Sequence, residues 1–264
     1  MSTAAGAPAV YALVLAGARA SGDPLCEAEG VESKALIDIL GEPMLARVLR
    51  ALSKSQRVCQ PAYVSGLTAP LLERARGQTP VQAAACVAGG PASSLLGAIE
   101  QGLTLPLLVT TCDHALLTPA MVDHFLAAAI EGRADLTVAF AGRDTVQPAY
   151  PETKRTYLNF GGEPLSGCNL FYIAAPAALK VIGFWKSAEQ DRKQPWRIAW
   201  RFGPLTALRI LIGRPGVQRV FELISSRMGA RIAVVKMPFA EAAIDVDSPG
   251  DLILVRSILL KRST

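Results

Sequence analysis

The sequence predicts an α/β protein, a three-layer sandwich in which a mainly parallel central sheet carries helices on both faces. Three observations lead there. Short apolar runs of strand-forming residues alternate with segments of helical periodicity along most of the chain. One run, Leu105 to Thr111 (LPLLVTT), is apolar nearly throughout, as a central strand buried on both faces must be. Strand-like runs also end in small or polar residues, at Ala16-Gly17, Gly66 and Cys112-Asp113, and open α/β sheets bind ligands beyond those strand ends.

In chain order, Tyr11 to Leu15 (YALVL) predicts the first strand, which stops at Ala16-Gly17. Residues 18–33 read as a long acidic loop, and Gly41-Glu42-Pro43-Met44 as a tight turn. A helix follows over Pro43 to Ser53, with Leu45, Val48, Leu49 and Leu52 on one face. Ala62 to Gly66 reads as a second strand, Ala69 to Ala75 as a short helix, and Val81 to Ala84 as a short strand. The loop Gly89-Gly90-Pro91-Ala92-Ser93-Ser94 opens a helix through Leu103. After the central strand, Thr118-Pro119 supplies a hydroxyl cap and a first-turn proline for the next helix. Leu136 to Phe140 is the next strand, and 141–165 a polar cover with a hairpin near Thr156–Phe160. Asn169 to Ile173 and Arg231 to Lys236 read as strands, and Ser248-Pro249-Gly250-Asp251 as the start of the last helix.

With 264 residues, half of them hydrophobic, the chain is long enough for one domain over 1–264 with a sizeable insertion. It has no uninterrupted apolar run long enough to span a bilayer, and its first residues lack the basic region of a secretory signal. The five cysteines (Cys26, Cys59, Cys86, Cys112, Cys168) are scattered, without a Cys-x-x-Cys pair. Free thiols in the reducing cytoplasm are therefore expected. The net charge of +5 is concentrated: Lys186 to Arg231 holds ten basic residues against three acidic ones. That helical, basic insertion, about 176–230, interleaves Trp185, Trp196, Trp200 and Phe202 with arginines. It reads first as an insertion that packs on the sheet and lines a ligand pocket, and second as a peripheral membrane contact through 184–214. No named nucleic-acid motif is present, and nucleic acid is not an expected partner.

The chemistry starts in the first loop. A strand that ends in small residues leaves backbone N–H groups free to face an anion. Gly17 and Gly22 permit positive φ or close ligand approach, and Arg19 and Lys34 add positive charge at either end of the loop. This suits the grip of a triphosphate. Asp113, just past the central strand, stands where a carboxylate meets a ligand, and magnesium favours one or two carboxylates with phosphate oxygens and water. Lys154, Arg155 and Thr156 are either ligands for a phosphate or solvated loop residues. Cys168 lacks a paired histidine and reads as a buried thiol rather than a nucleophile.

The order of strand, Leu-Ala-Gly, a loop with arginine, Lys34 and a Gly-x-Pro-Met-Leu helix entry resembles the signature LAGGxSxRMGxxK…GxPLL. The segments TTCDHALLTPAMV, AAIDVDSPGDL and GGPASSLLGAIEQGL resemble further motifs of the same proteins. These are the MobA-like NTP transferases, a superfamily that includes molybdenum-cofactor guanylyltransferase and the CMP-sugar synthetases. The resemblance runs from Tyr11 to about Val255 and is weakest over 186–230. It implies a Rossmann-like fold of the nucleotide-diphospho-sugar transferase type. It also implies magnesium-dependent transfer of an NMP group from an NTP to a phosphorylated acceptor, small or lipid-linked, with release of pyrophosphate.

Residue by residue, the resemblance implies that Leu15, Ala16, Gly17, Ala18 and Gly22 cradle the nucleotide, while Lys34 and Arg19 stabilise its triphosphate. Gly90 and Ser94 would contact the base, although Ser93 or Ser94 as a simple helix cap is an equal alternative. Asp113 and Asp247 would hold Mg2+, with Asp245 a weaker second and Asp251 serving only the helix start. Arg155, Gly167 and Asn169 would face the acceptor. Ala18, in place of the motif's second glycine, keeps open an inactive nucleotide-binding protein at the membrane surface. A GT-A-like glycosyltransferase is a further alternative, although Asp113-His114-Ala115 lacks the Asp-x-Asp pair it would favour.

Overall fold

The computed structural model describes residues 9–17, 22–84, 89–188 and 215–263. Ala18, Arg19, Cys86 and most of the basic segment, 189–214, lie outside the described residues, and with them the expected triphosphate contact of Arg19 and most of the proposed membrane surface.

Eight strands form one sheet: β1 (Val10–Leu15), β2 (Val58–Ser65), β3 (Val81–Ala83), β4 (Leu107–Thr111), β5 (Leu136–Gly142), β6 (Leu158–Phe160), β7 (Glu163–Ile173) and β8 (Ile232–Lys236). Their order is β3-β2-β1-β4-β7-β5-β8, with β6 paired to the outer end of β7. β1, β2, β3 and β4 run parallel, as do β5 and β8, whereas β7 is antiparallel to β4, β5 and β6. A mainly parallel sheet results, with one long reversed strand in its middle.

Alternation along the strands explains the layers. Val10, Ala12 and Val14 of β1 and Ala16 just past it face one core, with Ala139 and Ala141 of β5. That core is closed by α2 (Met44–Ser53), α3 (Ala69–Ala75) and α5 (Pro119–Gly132). Leu13 and its partly buried neighbours Tyr11 and Leu15 face the other side, under α4 (Pro91–Glu100) and α7 (Ala178–Ala188). The Phe140, Leu165 and Val217 cluster extends this second layer beneath α8 (Val217–Met228). Both faces of the sheet are covered, as a parallel sheet requires. β4 is buried at Leu107, Leu108, Val109 and Thr110, as its continuous apolar run predicts.

A third cluster, off the sheet's edge, positions the site. It joins α1 (Pro24–Glu29), the segment Ile37–Met44, Ala115-Leu116, Ile244, Val246 and the C-terminal α9 (Pro249–Ser263). α1 corrects the expectation of a loop there. Asp23 accepts a hydrogen bond from Leu25 N at 3.0 Å, Pro24 opens the helix and Gly30 closes it at φ 66°. Leu25 and Cys26 are buried, so the acidic character of 23–32 masks an amphipathic turn.

Two other differences are of the same kind. The polar stretch after β5 contains α6 (Arg143–Ala149), which continues as far as Pro148 allows. β7 begins at Glu163 rather than Asn169, because the Gly161-Gly162 turn pairs it at once with β6. The described cysteines are free, three of them buried. No described helix is long and apolar enough to cross a membrane.

Candidate functional site

The parallel strands deliver their C-terminal ends to one edge of the sheet, and the sequence-predicted residues gather there. β1 and β4 are in register from Tyr11–Leu107 to Leu15–Thr111, and Cys112 N then donates to Leu15 O at 3.0 Å. That bond fixes the start of the loop at Gly17 beside Asp113. On the other flank Ala16 N donates to Ser65 O at 2.8 Å, which brings the turn after β2 against the same loop. There Gly66, at φ 96°, is so close that a Cβ on it would stand 2.4 Å from Gly17 N. Gly66 is a site residue that the sequence reading missed; its only sequence signal was a glycine closing a strand.

Lys34 opens a 3-10 turn, Lys34–Leu36, capped by Ser33, whose Oγ accepts from Ala35 N at 3.3 Å. Ser33 and Ala35 are buried on either side of it, and Met44 N donates to Ile37 O at 2.9 Å, so the backbone beneath the lysine is held. Its Nζ donates to Asp247 Oδ1 at 2.7 Å and to Val246 O at 3.0 Å, with Asp23 Oδ2 at 3.5 Å. Burial works to lower its pKa, but the carboxylates of Asp247, Asp113 and Asp23 outweigh it and the ammonium titrates above its ordinary value. Asp23 is a second residue the sequence reading assigned no role.

Asp113 is tied to the same place by its backbone, since Val246 N donates to Asp113 O at 3.0 Å. Thr111 Oγ1 donates to its carboxylate. The Asp113 pKa is raised to about 6, chiefly by burial and also by the nearby charges of Asp245 and Asp247, against the Thr111 bond and the Lys34 ammonium. Next to it His114 is fully buried, neither ring nitrogen has a hydrogen-bond partner, and burial lowers its pKa to about 4, so the ring is neutral.

The 244–247 segment obeys the period of an extended chain. Ile244 and Val246 are fully buried against α9, and Asp245 and Asp247 alternate with them. Asp245 does not join Asp247 at Lys34. It is held by Arg155 at Oδ1 and by Asn169 Nδ2 at 3.1 Å. Arg155 also bonds Asp251 and donates to Ala243 O at 3.2 Å.

Two expectations change here. Arg155, expected at the acceptor, has both terminal nitrogens engaged inside the protein by two carboxylates and a carbonyl, because its side chain is 8% exposed and needs those partners. Asp251 does more than start α9, since it bonds Ser248 Oγ at 2.7 Å and Arg155 as well. Asn169, at φ 49° beside an irregularity in the β5–β7 register, turns its amide to Asp245. Gly167 is exposed, with no atom within 4 Å of where a Cβ would stand.

Gly90 and Ser94 lie at the start of α4, after β3, on the same sheet edge. Neither serine caps the helix. Gly90 occupies the cap position, and Ser94 Oγ instead donates back to Gly90 O at 3.5 Å. Further along the edge, an open groove of about 800 Å3 runs between α6 and the β6–β7 turn, lined in part by Arg143, Asp144, Gln147 and Glu163. Arg143 sits 4.6 Å over the Tyr157 ring, whose phenol is pushed to a raised pKa by burial.

Among the described residues no group of three or more His, Cys, Asp or Glu side chains could hold a metal ion unaided. Asp113 and Asp247 supply two carboxylates, and the raised pKa of Asp113 shows a buried, repelled charge that a cation would relieve. That donor set fits magnesium, which keeps waters and phosphate oxygens in its shell, and does not fit a closed structural site.

Residues 12–180 match the family profile described as MobA-like NTP transferase domain. No match was found among curated proteins. A hypothetical transferase from Thermus thermophilus is similar over 93% of this chain and all of its own, at 27% identity and TM-score 0.76. A CMP:2-keto-3-deoxy-manno-octonic acid synthetase complexed with CTP covers 97% of this chain and all of its own, at 13% identity and TM-score 0.60. A nucleotidyl transferase from Methanothermobacter covers the same shares at 17% identity and TM-score 0.57. The last two show the fold alone.

Proposed function

The chain belongs to the MobA-like NTP transferase family and is a nucleotidyltransferase, and from that premise we propose that it moves an NMP group from an NTP to a phosphorylated acceptor, with Mg2+ bound by Asp113 and Asp247. One observation carries the reading: Lys34, Asp113 and Asp247, far apart in the chain, meet at one edge of the sheet beside the Gly17 turn.

In the proposed reaction an acceptor phosphate oxygen attacks the α-phosphorus in line, the α–β bridging P–O bond breaks, and pyrophosphate leaves with the electron pair. Bound Mg2+ would orient the α-phosphate and neutralise part of its charge. The chain's residues do the rest. Backbone around Ala16 and Gly17 approaches the phosphates closely because no side chain intervenes. Lys34 exchanges its bond to Asp247 for triphosphate oxygens, and its raised pKa keeps it cationic throughout. Gly22, at φ 80°, lets the loop turn back toward Lys34. Gly90 and Ser94 stand on the side where a base would lie. The groove beside α6, near the exposed Gly167, offers room for the acceptor. Such transfer depends on positioning and charge, and no protein nucleophile is required.

The test is pyrophosphate release from each of the four NTPs with a panel of sugar, polyol and lipid-linked phosphates, with and without Mg2+. Mg2+-dependent release with one NTP and one acceptor class supports the reading. Tight Mg-NTP binding without turnover on any acceptor would replace it with the nucleotide-binding alternative.

A further inference from the structure

A second cleft lies on the flank of the molecule built by α2, α9 and the loop that leaves β4. Its volume is about 200 Å3, below the ~300–1,000 Å3 of sites for drug-sized ligands. The cations on its walls are Arg47 and Arg50 from α2, Lys54 at its C-terminal cap and Arg262 from α9, and among the described residues no carboxylate lines it. Its floor is apolar, with Leu116, Leu117 and Leu259 among the lining residues.

Two carboxylates pair with the three arginines. Glu42 Oε2 accepts from both Arg47, at 3.1 Å, and Arg50, at 2.7 Å. Glu241 takes Arg262 and shares itself with the Tyr150 hydroxyl at 2.7 Å. Arg47 is 16% exposed and held in place by Nε donating to Ala115 O at 3.4 Å. Burial lowers its pKa, and the like charges of Arg50 and Arg262 add to that against Glu42. Three arginines that share two carboxylates, with Lys54 on the same walls over an apolar floor, repel one another unless an anion joins them.

We propose that this cleft binds a phosphate monoester or diester group, separate from the NTP site, with Arg47, Arg50, Lys54 and Arg262 as its ligands. Guanidinium forks suit tetrahedral phosphate, and Lys54 adds a mobile charge at the rim. The cavity accepts a phosphate with a few attached carbons and is too small for a whole nucleotide. The occupant would rest on the loop Ala115–Pro119, which begins two residues after Asp113. The inference is independent of the transfer reaction, since no residue of the proposed catalytic set lines the cleft.

The phosphate has two possible sources, a soluble phosphate ester and a lipid headgroup, and two arms separate them. In the first, glycerol 3-phosphate is titrated into the full chain and backbone amide shifts are followed at Arg50, Lys54 and Ala115–Leu117. In the second, phosphatidylcholine vesicles with and without phosphatidic acid are used to sediment the protein. Each is repeated on Arg50→Gln/Lys54→Gln, two exposed positions whose loss leaves the fold intact, checked by unchanged Mg-NTP shifts near Gly17. Saturable shifts that weaken roughly tenfold or more in the double variant identify a soluble ester. Capture only by phosphatidic acid vesicles, lost in the double variant, identifies a headgroup. Absence of both, or equal response of wild type and variant, overturns the proposal.

Discussion

Lys34 and Asp247 meet at 2.7 Å although 213 residues of chain separate them. The ammonium also touches the carbonyl beside that carboxylate and lies within reach of Asp23, so the fold holds in position the cation proposed to meet the triphosphate. Lys34→Met should lower kcat/KM for the NTP by roughly 10²–10³-fold, as the loss of one preorganised electrostatic contact does. The raised lysine pKa means that its stabilising interaction is complete below its ordinary titration range and is lost only as pH rises through the higher folded value. Any change of rate between pH 5 and 8 must therefore come from another group. A pH–rate profile of Lys34→Met that keeps the wild-type inflection checks this, and a vanished inflection would refute it.

Asp113 is the group expected to titrate in that range. Its folded pKa of about 6 lies above the ordinary 3.8, so the folded chain binds a proton more tightly than the unfolded one between those values. The associated stability is present at low pH and is lost as pH rises through about 6. At neutral pH the buried charge costs about 1–3 kcal/mol. Asp113→Asn should therefore raise Tm by a few degrees at pH 7.5 while abolishing Mg2+-dependent turnover. Mg2+ with NTP should raise the Tm of the wild type and not of the variant. At subsaturating Mg2+ wild-type activity should fall as pH drops below about 6, because proton and metal compete for the Asp113 carboxylate. A destabilised variant that still turns over would remove Asp113 from the site.

How much of this was legible in the sequence follows from the kind of signal each residue carried. β1, β4, α2 and α5 announced themselves by period and by caps such as Thr118-Pro119, and the structure keeps them within a residue or two. Lys34, at the far end of the first loop, and the strand-end carboxylates Asp113 and Asp247 were visible within motif-like segments. What stayed hidden depended on partners far along the chain. Asp23 caps α1 and approaches Lys34, yet in sequence it is one acid among many. α6 was obscured by Pro148 and by its brevity. The fate of Arg155 could not be read, because a loop arginine becomes a buried clamp only once Asp245 and Asp251 are folded against it.

Arg155 now has a role that can be measured apart from the acceptor. It neutralises Asp245 and Asp251 together, and its side chain is only 8% exposed. Arg155→Ala strands two carboxylates and should cost about 3–5 kcal/mol in chemical denaturation. An acceptor ligand would behave differently, raising the acceptor KM with stability little changed. Asp245→Asn with Arg155→Ala as a double-mutant cycle should show coupling above about 1 kcal/mol, and additive effects would dissolve the clamp.

Gly17 and Gly66 give the sharpest contrast, because the structure places different demands on two adjacent glycines. A Cβ on Gly17 would lie 4.0 Å from the Gly66 Cα, an ordinary contact, so Gly17→Ala should fold with little change in Tm. Its methyl would project at the strand end where phosphate oxygens are proposed to approach, and NTP affinity should fall by roughly tenfold or more. A Cβ on Gly66 would instead strike Gly17 N at 2.4 Å and sit on a backbone at φ 96°. Gly66→Ala should thus lose about 1–3 kcal/mol of stability and weaken NTP binding through the displaced loop. Calorimetric Tm and NTP titration on both variants decide the matter. If Gly17→Ala binds NTP as the wild type does, the phosphates do not pass over this turn, and the proposed seat of the triphosphate must be moved.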